Sequence, residues 1–132
     1  MKITADTNVL VRAIVLDDEV KTRAAEKELD RAELVALTLP ALCEFVWVLS
    51  RNYKVAHEDI ATAVRKLLDA RNIVADRVAI DGGLAMLDAG GDFADGVIAD
   101  AGKWLGAETF VSFDKQAVRL LRARGEAARS PR

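Results

Sequence analysis

Met1-Lys-Ile-Thr-Ala-Asp6-Thr-Asn-Val-Leu-Val-Arg12 opens the chain with a strand running straight into a helix. Ile3 to Ala5 is a short apolar run that reads as a buried strand. It ends on an acid, and a helix-like pattern of Val9, Leu10, Ala13 and Ile14 follows at once. Asp6 therefore stands at a strand-to-helix corner. In a parallel α/β sheet such corners lie at the carboxyl ends of the strands, where substrates and cofactors bind, so Asp6 is a candidate metal ligand. A plainer role fits the motif equally well, namely that Asp6 or Thr7 only N-caps the helix. Three later acids at comparable corners, Glu44, Asp95 and Asp114, give the motif its weight.

Working outward, the chain's 132 residues suffice for one well-buried core and are too few for two. Hydrophobic residues make up 52% and charged residues 30%, which excludes a disordered chain. A net charge of -2 gives no basic footprint, so any nucleic-acid binding has to rest on local Arg and Lys groups or on metal ions. The single cysteine, Cys43, allows neither an internal disulfide nor a cysteine-based zinc site, and its apolar surroundings make it a small core residue. Lys2 and Asp6 interrupt any secretory leader, and no apolar run approaches bilayer length. The expected location is cytoplasmic.

Periodicity then lays out alternating elements. A charged, alanine-rich outer helix spans Glu19 to Ala32, and Val35 to Leu39 is a central strand stopped by Pro40, which opens the next helix. That helix, Ala41 to Tyr53, presents Leu42, Phe45, Val46, Leu49 and Tyr53 as one core stripe. Glu44, Trp47, Val48 and Arg51 fall on the other side, so a neighbouring element or a partner chain is expected over Trp47 and Val48. Glu58 to Ala70 is a further helix, with the lone His57 just before it and given no chemistry for want of a partner. Asn72 to Ala75 is a short strand. Val78 to Leu87 is a helix whose Gly82-Gly83 pair implies close helix packing, since each glycine weakens a helix by roughly 1 kcal/mol. Asp92 to Leu105 is a helix with Val97, Ile98, Ala101, Trp104 and Leu105 expected inside, Thr109 to Phe113 a strand ending on Asp114, and Lys115 to Arg124 the last helix. These elements place one α/β domain over residues 1–125, with 126–132 a weak edge strand or frayed tail. The fold class is a three-layer α/β/α sandwich on a mainly parallel sheet.

Four carboxylates at one sheet edge cannot all stay ionised in a partly buried pocket without a cation. Oxygen-only donors favour Mg²⁺ or Mn²⁺ over zinc, and such ions serve phosphodiester hydrolysis. No phosphate-binding glycine loop of the motor or kinase type is present. Within the Asp92/Asp95 pair, the spacing is that of a capping box, which makes Asp92 the N-cap and Asp95 the ligand.

Asp6-Thr-Asn-Val-Leu, Glu44, Asp92-Phe-Ala-Asp95-Gly-Val-Ile-Ala and Phe113-Asp114-Lys115 resemble, in order and spacing, the signature of PIN-domain ribonucleases, most closely the VapC toxin type. The resemblance spans nearly the whole chain. It implies that Asp6, Glu44, Asp95 and Asp114 form a catalytic, Mg²⁺-binding quartet, with Thr7, Asn8, Asp92 and Ser112 in support; at the last position the family more often has threonine. It also implies an endoribonuclease toxin acting on structured RNA such as tRNA or ribosomal RNA, a homodimer, and a VapB-like antitoxin that inhibits it. The family's final strand is hard to find in this sequence. Other classes fit less well. A haloacid-dehalogenase-like phosphatase needs a second Asp where Asn8 stands, and a receiver-type signalling domain needs an acid where Thr7 stands. A non-catalytic domain with the same acidic pocket is the remaining alternative.

Overall fold

The computed structural model describes residues Met1–Arg132. The chain has an α/β fold with seven helices and five strands, every strand pair parallel, as expected of the α/β/α sandwich class. It forms two compact units, Met1–Asp76 and Arg77–Arg132. The strands divide accordingly into a three-stranded and a two-stranded sheet rather than the single sheet expected.

In the first unit, β1 (Lys2–Thr4) leads to α1 (Thr7–Ile14) and α2 (Glu19–Arg31), β2 (Leu34–Ala36) to α3 (Leu39–Arg51) and α4 (His57–Asp69), and β3 (Ile73–Val74) closes the sheet in the order β1-β2-β3. Ile3 pairs with Val35, which pairs in turn with Ile73. The middle strand carries the core: Val35 is fully buried. β1 begins and ends a residue earlier than expected and is not buried. Ile3 is half-covered and Lys2 and Thr4 are exposed, because β1 is an end strand of its ladder. β2 likewise ends at Ala36, before the proline. Thr38 takes over as N-cap, its hydroxyl accepting from the Ala41 N–H at 3.3 Å, and Leu39 and Pro40 form the first helical positions, where proline's missing N–H costs nothing. The stripe of Leu42, Phe45, Val46 and Leu49 is buried as expected, each such side chain contributing about 1.5–3 kcal/mol. Tyr53 and Cys43 are only half-buried. Trp47 remains 57% exposed. His57 is the first residue of α4 rather than its forerunner, and it is exposed.

In the second unit, α5 (Arg77–Asp88) packs on α6 (Phe93–Trp104), followed by β4 (Phe110–Val111), α7 (Lys115–Ala123) and β5 (Ala128–Arg129). The glycines make that helix pair possible. A Cβ on Gly83 would lie 2.6 Å from the Phe93 ring, and one on Gly96 would overlap the Gly82 carbonyl. This contact also corrects the inward face expected for α6. Phe93, Gly96 and Val97 are buried, whereas Ile98 is 57%, Trp104 72% and Leu105 90% exposed, because close approach selects the glycine face over the bulkiest one. α5 ends at Gly90 in the left-handed conformation (φ 87°), with the Gly91 N–H donating to the Met86 carbonyl at 2.8 Å, a glycine-terminated cap. β4 is shorter than the run Thr109 to Phe113, and Phe113 is 87% exposed. The tail supplies β5, whose Ala128 pairs with Phe110 and joins Met86, Ala117, Val118 and Leu121 in a small core.

Candidate acidic active site

Asp6 follows β1 directly and caps α1, its Oδ1 accepting from the Thr7 N–H at 2.8 Å. Thr7 is buried, and its hydroxyl donates to the Ala41 carbonyl at 3.5 Å, tying the start of α1 to the start of α3. That tie holds two strand-to-helix corners side by side. Glu44, exposed on α3, and Asp6 line one cleft of about 270 Å³ with Thr7, Asn8, Arg12 and Tyr53. Asp6 thus serves as the N-cap of α1 and also lines the cleft. Arg12 is not among the expected site residues, and Tyr53, expected in the core stripe, lines the cleft instead. The signal for Arg12 was available, since it lies one helical turn beyond Asn8 and so on the same face.

The second unit gathers the other acids. Asp92 is the N-cap of α6 as expected, but its Oδ1 accepts from the Ala94 N–H at 3.2 Å rather than from the Asp95 N–H of a capping box. Asp95, in the first turn of that helix, is half-buried. Burial first, then the charges of Asp92 and Asp114, push its pKa up from 3.8 to about 6. Asp114 caps α7, its Oδ1 accepting from the N–H groups of Gln116 at 3.0 Å and Ala117 at 3.1 Å. Ser112 supports that turn, its hydroxyl accepting from the Asp114 N–H at 2.9 Å. Capping thus fixes three of the acids, Asp6, Asp92 and Asp114, at helix starts, where the positive end of the helix favours a carboxylate.

A PIN domain family model matches residues 3–122. The chain belongs to the PIN domain family. PIN domains are in general metal-dependent nucleases acting on nucleic acid. No curated protein matches the sequence. No helix is long and apolar enough to cross a membrane.

The family implies a divalent ion, and the donor set of this PIN domain suits one. All four acids of the expected quartet are carboxylates, the hard oxygen donors that Mg²⁺ or Mn²⁺ prefers. Asp95, with a pKa raised by burial and by two neighbouring acids, is a carboxylate short of countercharge. No group of three or more His, Cys, Asp or Glu side chains converges closely enough to hold an ion. The structure brings Asp6 to the cleft with Glu44, and Asp95 within electrostatic reach of Asp92 and Asp114.

Proposed function

We propose that this PIN domain is a Mg²⁺- or Mn²⁺-dependent endoribonuclease of the VapC toxin type, acting in the cytoplasm on structured RNA such as tRNA or ribosomal RNA. Asp6, Glu44, Asp95 and Asp114 are its catalytic and metal-binding acids, and Thr7, Asn8, Asp92 and Ser112 hold them in place. The observation that carries this is the sharing of one cleft by Asp6, the N-cap of α1, and Glu44, in the second turn of α3, the starts of these two helices being tied together by Thr7. A divalent ion, when bound, would lower the pKa of a bound water and stabilise charge on the phosphoryl group. The chain's own contribution is to keep these carboxylates oriented through backbone caps and to crowd Asp95 until a cation is favoured there.

A homodimer and a VapB-like antitoxin belong to the same proposal. Trp47 on α3 and Ile98, Trp104, Leu105 and Phe113 in the second unit are large apolar side chains left exposed, the composition of surfaces that partners cover. The test is cleavage of a tRNA mixture by purified protein. EDTA should abolish it, and Mg²⁺ or Mn²⁺ should restore it. Undiminished cleavage in chelator would remove the metal from the account, and no cleavage under any divalent ion would leave a non-catalytic binding domain.

A further inference from the structure

The Asp6–Glu44 cleft presents negative charge to a substrate that is itself a polyanion, so something in it has to offset repulsion of the phosphate. Among the residues lining that cleft, Arg12 is the one cation. It is anchored at two points. Its Nη1 donates to Asp17 Oδ1 at 2.7 Å, and its backbone carbonyl accepts from the Thr22 hydroxyl at 2.9 Å. Its side chain is 30% exposed, against 51% for Asp17, so the guanidinium is partly desolvated but not sealed off. A guanidinium carries five N–H donors in a planar fork, and Asp17 Oδ1 engages only one nitrogen.

Resting on the nuclease function proposed above, we propose that Arg12 binds a backbone phosphate of the RNA beside the Asp6–Glu44 cleft, with Asp17 as the positioning residue that orients it. Arginine suits this role because its fork matches two phosphate oxygens at once. The geometry also continues the path. Arg12 and Asn8 line a neighbouring groove of about 430 Å³, whose other walls are Val9, Ala24, Ala25, Glu28 and a second cation, Lys21. A strand leaving the cleft past Arg12 therefore meets apolar surface and a second cation, Lys21, with one acid, Glu28, in the same groove. Local cations of this kind are what a chain of net charge -2 needs in order to hold RNA at all.

Binding of a short fluorescein-labelled single-stranded RNA, followed by anisotropy in EDTA across a salt series, tests the assignment without catalysis. Arg12→Gln should weaken binding about tenfold and reduce the slope of log affinity against log salt by about 0.7, the single-strand value for one phosphate contact. Arg12→Lys should recover the slope but only part of the affinity, because the charge returns without the fork. Asp17→Asn should raise KM for cleavage in Mg²⁺ with kcat nearly unchanged. Arg23→Gln is the charge-matched control; Arg23 pairs with Glu19 at 2.7 Å on the exposed face of α2, and its loss should leave binding unchanged. Equal losses in Arg12→Gln and Arg23→Gln would reduce the effect to net charge and overturn the assignment. So would an Arg12→Gln variant that is less stable yet binds with wild-type affinity and slope, since Arg12 would then be a strut between α1 and its following turn. Wild-type KM in Asp17→Asn would overturn the positioning role. These failures differ from failure of the nuclease function itself, which would show as wild-type protein without Asp6-dependent cleavage.

Discussion

Replacing Asp95 by Asn removes an ionisable group from a place that resists its charge, and the protein should become more stable for it. Burial, Asp92 and Asp114 together raise the Asp95 pKa from 3.8 to about 6. At about 1.4 kcal/mol per pH unit, that rise corresponds to about 3 kcal/mol before screening. Asp95 is only half-buried, and solvent screening reduces the figure to about 1 kcal/mol. The sign follows from proton linkage. The folded state holds the proton more tightly than the unfolded one, so the penalty is absent below pH 3.8, grows between 3.8 and about 6, and is complete above. Wild-type stability should therefore fall through that window as pH rises, by more than that of Asp95→Asn, which cannot ionise. Urea unfolding in EDTA, followed by circular dichroism over a pH series, should show the variant about 1 kcal/mol more stable at neutral pH and the gain vanishing near pH 4. A variant less stable than wild type at pH 7, or a difference that does not change with pH, would refute the picture of a crowded, cation-seeking carboxylate.

Asp92→Ala should cost about 1 kcal/mol of stability, as loss of an N-cap does, while metal-dependent cleavage persists; thermal unfolding and a cleavage assay check the two halves. Asp114→Asn should leave stability within a few tenths of a kcal/mol, because Asn caps as well as Asp, and yet abolish cleavage, which separates the cap from the ligand. Gly83→Ala should destabilise by about 1–3 kcal/mol through overpacking against Phe93 and Val97, measured by the urea midpoint. Sedimentation at tens of micromolar should show a dimer, and Trp104→Glu, which charges a side chain 72% exposed, should shift it toward monomer if that surface is the interface.

Much of this was legible in the sequence. Element types came through because helix periodicity at Leu42, Phe45, Val46 and Leu49 and the short runs at Val35 and Ile73 are strong local signals. The Gly82-Gly83 pair announced the close approach of α5 and α6. What the sequence hid was which face of α6 goes inside: hydrophobicity points to Ile98, Trp104 and Leu105, but Gly96 decides the packing by being small. Strand ends were also misplaced, because Thr38 can extend a strand or cap a helix and only the tertiary setting selects the cap. At the site, Asp6 and Asp114 stand out by their position after strands, whereas Glu44 lies inside α3 and Asp95 follows a helix, and that Asp92 accepts from Ala94 rather than from Asp95 is a matter of one turn's local geometry. Arg12 carries no such signal on its own, because a lone arginine on a helix usually marks a solvated face.

We propose that acids from separate corners of the fold serve one metal-dependent cleavage. Initial rates of RNA cleavage in Mg²⁺ for wild type and for Asp6→Asn, Glu44→Gln, Asp95→Asn and Asp114→Asn, each verified as folded, measure that claim. All four single variants should lose cleavage by at least about a hundredfold, the scale on which enzymes lose rate when a group stabilising transition-state charge is removed. Wild-type rates in any folded Asp6 or Asp95 variant would contradict it.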